Sequence, residues 1–149
     1  MNREEGDRLH ALFMDLVRVA GLLRPDQEIL GFPISMSQAF AVHELDSDVP
    51  LSQRELADRL SLEKSTVSRM IADLERHGFI ERERDPDNRR TNRLRLTDAG
   101  RALHTQIAAN YAGQFHQWVA ALSDAESRAL MVGLPALIRV VRENGYASG

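Results

Sequence analysis

The stretch from Ser52 to Thr97, SQRELADRLSLEKSTVSRMIADLERHGFIERERDPDNRRTNRLRLT, holds two sets of side chains whose types and spacing could do chemistry. In the first, Ser65, Ser68, Arg69, Ala72 and Arg76 recur at i, i+3, i+4, i+7 and i+11, which puts them on one face of a helix. A stripe of small hydroxyl and guanidinium donors suits a nucleic-acid groove better than it serves plain solubility. Lys64, Ser65, Thr66, Ser68 and Arg69 are the candidates for base or phosphate contact, and Arg69 has the fork to bond a guanine edge at two points. For Ser65 and Thr66 the plainer account is that they satisfy amides of a first helical turn. Gln53, Arg54 and Arg76 are expected to hold phosphates, which fix position without reading sequence.

The second set is basic. From Arg76 to Arg101 there are eight arginines (76, 82, 84, 89, 90, 93, 95, 101) against five acids (81, 83, 85, 87, 98), a local balance of 8 − 5 = +3 in a chain of net −3. Charge gathers where phosphates would be met. Arg90, with Arg89 as second choice, is expected to enter a narrow A·T-rich minor groove, whose negative potential attracts a guanidinium. A solvated arginine-rich hairpin is the bland alternative.

The elements that must position these groups are legible from caps and periods. Ser52-Gln53-Arg54-Glu55 is a capping box that opens a helix with Leu56, Ala57 and Leu60 on its apolar face. Ser61-Leu62 is a turn, and Val67, Ile71 and Leu74 give a second helix its inward side. Two helices joined by a short turn, the second with donors near its start, predict a helix-turn-helix. Gly78 is placed to end the second helix as its C′ residue, with His77 in the final turn. Strand-like runs Ile80 to Arg84 and Arg93 to Leu96 then flank the polar tip Asp85-Pro86-Asp87-Asn88-Arg89-Arg90-Thr91-Asn92. That hairpin is a wing.

These runs resemble the MarR family of winged-helix transcriptional regulators, whose pattern is a helix-turn-helix, an "LExxGhhxR" step, a "DRR" wing tip and a closing "LTxxG". The chain has Leu74-Glu75-Arg76-His77-Gly78-Phe79-Ile80-Glu81-Arg82, then Asn88-Arg89-Arg90, then Leu96-Thr97-Asp98-Ala99-Gly100. It departs twice: Asn88 stands where an acid usually precedes the paired arginines, with Asp87 as the candidate substitute, and Glu63 stands where Ser or Thr usually caps the recognition helix. The resemblance implies a DNA-binding regulator, more often a repressor, that dimerises through its terminal helices. It also implies release from DNA by a small aromatic or phenolic effector bound between the lobes.

Bulk properties agree with one domain over 1–149, mainly α with a small β wing. The 149 residues suffice to bury about two thirds of the unfolded surface. The absence of cysteine excludes disulfides, thiolate metal sites and thiol-based peroxide sensing. No run approaches membrane-spanning length and MNREEGDR has no apolar core region, so a cytoplasmic protein is expected. A winged helix-turn-helix lobe over 35–97 is expected, with a helical dimerisation lobe from 1–34 and 98–149.

In that second lobe, Leu9, Leu12, Phe13, Leu16, Val17, Ala20 and Leu23 make a helix from Arg8 to about Arg24, stopped by Arg24-Pro25. Gly31-Phe32-Pro33 is a loop, and Ser35-Met36-Ser37-Gln38 is another capping box. Asp46-Ser47-Asp48 is a loop before Val49-Pro50-Leu51, the expected third strand. A long helix from Asp98 to about Leu122 follows the Thr97 cap. Ser123-Asp124-Ala125-Glu126 opens a last helix to about Asn144, in which Pro135 should form a kink. The tail from Gly145 is expected to fray.

Phe13, Phe40, His43, Tyr111 and Trp118 are candidates to line an effector pocket, though core packing explains most of them equally well. His10, His43, His104 and His116 with Glu44 invite a metal reading, but no His-x3-His or comparable pair stands at ligand spacing. No metal or cofactor is expected. Nor is an enzyme, since no nucleophile elbow, phosphate loop or paired catalytic carboxylates appear. Two other readings stay open: a zinc-responsive regulator of the same fold, and a winged-helix protein-interaction module without DNA affinity.

Overall fold

The computed structural model describes residues 3–20, 31–88, 90 and 92–145. In chain order these form α1 (Arg3–Val19), α2 (Met36–Leu45), β1 (Leu51–Ser52), α3 (Gln53–Leu60), α4 (Lys64–Arg76), β2 (Ile80–Arg84), β3 (Asn92–Leu96), α5 (Asp98–Ala120) and α6 (Asp124–Asn144). The chain divides into two compact units, Met1–Ala108 and Ala109–Gly149, with the boundary inside α5. Among the described residues no helix is long and apolar enough to cross a membrane.

Three capping boxes start three helices where the sequence places them. Ser35, Ser52 and Ser123 accept from the amides of Gln38, Glu55 and Glu126, whose side chains accept in return from the capping residue's N–H. α4 differs, as Glu63 at its N-cap predicts: it makes no side-chain cap bond. α3 ends on Ser61, which takes a left-handed φ of 53° and gives its N–H to Ala57 and Asp58.

Leu56 of α3, Val67, Ile71 and Leu74 of α4, and Leu94 and Leu96 of β3 are fully buried and belong to the core of the first unit. The sheet has the order β1-β3-β2, antiparallel throughout, with Ile80 opposite Leu96 and Arg84 opposite Asn92. β1 pairs Leu51 with Leu94 and Ser52 with Arg93. It therefore begins two residues later than the expected Val49-Pro50-Leu51, because Pro50 has no N–H for a ladder and Val49 stays exposed. β3 begins one residue earlier than expected, at Asn92.

α4 ends in a Schellman motif: Gly78 has φ +77°, its N–H reaches Glu75 O at 3.0 Å, and the Phe79 N–H reaches Leu74 O at 3.0 Å. The chain then meets the start of α5. Thr97 gives its N–H to Phe79 O at 3.1 Å and its hydroxyl to Gly78 O at 2.6 Å, while the hydroxyl accepts from Gly100 N at 3.1 Å. A Cβ at Gly100 would lie far inside the van der Waals radius of the Phe79 carbonyl oxygen. Beyond this joint Leu103 and Ile107 of α5 are buried.

α1 begins at Arg3, ahead of the expected Arg8, with Glu4 and Glu5 in the first turn and Arg18 in the last. Apolar periodicity cannot see such a polar turn, which the helix dipole favours. The expected stop at Arg24-Pro25 lies outside the described residues, as does the tail beyond Gly145. α1 has no buried residue. In the second unit α6 also buries none, and it is assigned as one helix through Gly133 and Pro135. Phe115 and Trp118 of α5 meet edge to face at 5.0 Å.

Gly100→Ala should cost about 3 kcal/mol, the upper range for forcing volume into a packed site. Urea denaturation checks this, with the exposed neighbour Ala99→Ser as the near-neutral control.

Candidate nucleic-acid interface

α4 turns Val67, Met70, Ile71 and Leu74 into the core, which obliges the intervening positions to face outward. Lys64, Ser65, Ser68, Arg69, Ala72 and Arg76 are exposed and Thr66 is half-buried. Among the described residues neither Ser65 nor Thr66 has a side-chain hydrogen-bond partner, and α4 has no side-chain cap. Arg76 pairs with Asp73 one turn back on its own helix. Gln53, half-buried, and Arg54, exposed, open α3 directly after the Ser52 cap.

The wing is an ion-paired hairpin rather than a loose cluster of cations. Arg82 Nε donates to Glu75 Oε1 at 3.0 Å, so the Glu and the final Arg of the "LExxGhhxR" run hold the start of β2 to the end of α4. Arg95 meets Glu83 at 3.4 Å, Arg93 meets Asp85 at 3.0 Å and Arg101 meets Asp98 at 2.8 Å. Counting charges along the sequence therefore overstated what is free. Among the described residues of this stretch, Arg84 and Arg90 are the arginines outside ion pairs. Arg90 is exposed at the tip, and its N–H donates to Asn88 Oδ1 at 3.2 Å. Arg89 lies outside the described residues.

Asp87 was the candidate to replace the missing wing-tip acid. Asp87 is exposed and gives its N–H to Asp85 Oδ1 at 2.9 Å, while Asp85 is the buried carboxylate. The Asp87 amide and the Arg93 guanidinium hold the Asp85 carboxyl below the usual aspartate range, against the opposing effect of burial. Nothing in the sequence alone separates Asp85 from its neighbours; its pairing with Arg93 across the hairpin, eight residues away, is what marks it.

A sequence model described as the MarR family matches residues 34–91. An HTH-type transcriptional regulator of Bacillus subtilis, YdgJ, is 29% identical over 89 residues, covering 60% of this chain and 54% of that protein. The match thus spans about half the length of such relatives. FabT of Streptococcus pneumoniae, solved in complex with DNA, superposes with a TM-score of 0.74 at 20% identity, covering 96% of this chain and 99% of that one. PcaV of Streptomyces coelicolor, solved with its natural ligand, gives 0.67 at 26% identity, covering 89% of each chain. The protein is similar to the MarR family over residues 34–91. Its fold is the winged helix-turn-helix of the MarR-type regulators on which it superposes.

The other candidate residues fall in both units. Phe13, Phe40 and His43 lie in the first and are exposed. In the second, Trp118 is exposed and Tyr111 half-buried, with its phenol pushed up by burial. Among the described residues no group of three or more ligating side chains stands ready for a metal. One contact did escape the sequence: His43 Nδ1 lies 3.0 Å from His104 Nε2, and His104 Nδ1 lies 3.1 Å from Asp46. This chain ties α2 to α5 across 61 positions, beyond the reach of any spacing rule.

Because the folded Asp85 carboxyl titrates below an unfolded one, its contribution to stability is complete above the ordinary aspartate pKa of about 3.9. It is lost as pH falls through the lowered folded value. The difference in urea midpoint between the wild type and Asp85→Asn should therefore be constant from pH 7 to about 5 and shrink below 4. A difference that grows on acidification would contradict the assigned state of this carboxylate.

Proposed function

We propose that this protein is a homodimeric transcriptional regulator, in most settings a repressor, that reads a pseudo-palindromic site in double-stranded DNA. The observation that carries the reading is the exposed donor face of α4 standing beside a wing whose tip arginine, Arg90, is outside any ion pair. Lys64, Ser65, Thr66, Ser68 and Arg69 enter the major groove, Arg69 bonding a guanine. Gln53, Arg54 and Arg76 hold phosphates, with Arg76 exchanging Asp73 for a phosphate oxygen. Arg90, with Arg89 beside it, follows the minor groove.

Dimerisation accounts for helices that bury nothing within one chain. Val19 of α1 is 74% exposed and Met131 of α6 is 76% exposed, values that a second copy would lower. The helical lobe, 1–34 with 98–149, supplies this contact and spaces the two recognition helices about 34 Å apart, one turn of duplex. A small aromatic or phenolic effector changes that spacing, provided it binds the two spacings unequally. Such a regulator works in the cytoplasm, where the chromosome is.

Selection of duplexes from random sequence, then titration of the winner at several salt concentrations, tests this reading. An inverted repeat and a steep salt slope are expected; no enrichment and no salt dependence would point to a protein-interaction module, and affinity abolished by chelator to a zinc-responsive one. Sedimentation should give twice the monomer mass. Arg90→Ala should reduce the salt slope by about one. Arg69→Ala should relax preference at one base position, at a cost of about 1–3 kcal/mol for the favoured base; uniform weakening across all sequences would remove Arg69 from the reading set.

A further inference from the structure

Among the described arginines of the wing, Arg93 differs in having three anchors on three segments. Its Nε donates to Asp85 Oδ2 at 3.0 Å, at the foot of the wing tip. Its Nη1 donates to Pro50 O at 3.1 Å, just before β1, and lies 3.7 Å from Glu55 Oε2 in the first turn of α3. That same Glu55 oxygen accepts from Ser52 N at 3.1 Å and so closes the capping box that starts α3. The backbone of Arg93 is meanwhile paired with Ser52 on one side and Glu83 on the other.

Electrostatics argues against Arg93 as a phosphate ligand. Its guanidinium lies between two carboxylates, one of them on Asp85, the single charged residue buried among those described. A phosphate would have to displace both and leave the Asp85 charge buried without its partner, which is costly. Arg90 and Arg84 carry no such penalty. What the arrangement does well is fix a distance: the tip bearing Arg90 is tied to the start of the helix pair that presents α4.

We infer that Arg93 is a positioning residue for DNA recognition, locking the wing to the start of α3 through Asp85, Pro50 and Glu55 so that Arg90 meets the minor groove in fixed register with α4. This rests on the DNA-binding reading above. The lock needs the planar fork of arginine, since one ammonium cannot serve the Asp85 carboxylate and the Pro50 carbonyl in the same directions. Lysine keeps the charge and breaks the lock.

The test measures affinity for the selected duplex alongside amide exchange of the free protein. Arg93→Lys should weaken binding about as much as Arg93→Ala, roughly tenfold, and neither should weaken it further in an Arg90→Ala background. Asp85→Asn should weaken binding as well. If Arg93→Lys binds like the wild type, if its loss adds to that of Arg90→Ala, or if Asp85→Asn tightens binding by freeing a cation, then Arg93 touches phosphate and the inference is overturned. In the absence of DNA, Arg93→Lys should speed amide exchange at the described residues between Arg84 and Asn92 while α4 keeps its protection. Unchanged exchange in the wing, or loss of protection throughout α4, would each overturn the positioning role. Should the wild type bind no duplex at all, the DNA-binding reading fails, and the exchange measurement alone decides whether the lock exists.

Discussion

A single carbonyl oxygen with no room beside it sets the geometry of the winged helix-turn-helix unit. Phe79 O accepts from Thr97 N and faces the bare Cα of Gly100, so that the end of α4, the last residue before the wing and the first turn of α5 share one point. Gly78 makes the approach possible by turning the chain at φ +77°, and the Thr97 hydroxyl closes the joint by bonding Gly78 O. Every element that the proposal brings to DNA is referred to this point. The "LTxxG" run is thus a packing requirement: Thr caps α5 and Gly lets it come close.

Charge obeys a similar economy. A hairpin with six unpaired arginines would repel itself and bind any polyanion. Here Arg82, Arg93 and Arg95 are matched by Glu75, Asp85 and Glu83, and the matches hold β2 and β3 to each other and to their neighbours. The exposed pairs contribute little to stability one by one. Their effect is on selectivity, because they leave the positive potential at the tip and on the α4 face. A chain of net charge −3 can on this account prefer a shaped groove to a random polyanion.

What was legible in the sequence follows from the range of the forces involved. Capping at Ser35, Ser52 and Ser123 depends on residues three apart, and all three boxes formed. The inward face of α4 depends on a period, and Val67, Ile71 and Leu74 are buried as the period requires. Contacts made through space were not legible. Asp85 and Asp87 look alike along the sequence, and only the pairing of β2 with β3 sets Asp85 beside Arg93. The same holds for the two residues by which β1 was misplaced, since Pro50 spends its carbonyl on Arg93 and has no N–H to offer a strand. His43 and His104 meet for reasons that no local pattern contains.

The terminal helices pose the remaining constraint. α1 and α6 carry apolar side chains at helical spacing yet bury none of them within one chain, and burying a single leucine side chain is worth about 2 kcal/mol. In the proposed dimer that surface is what holds two reading units at one spacing, so the stability of the assembly and the register on DNA become the same quantity. An effector then need not touch α4 or the wing. In that proposal it needs only to favour one packing of two copies over another. Rigidity in the reading unit is therefore what would allow a modest rearrangement elsewhere to act as a switch.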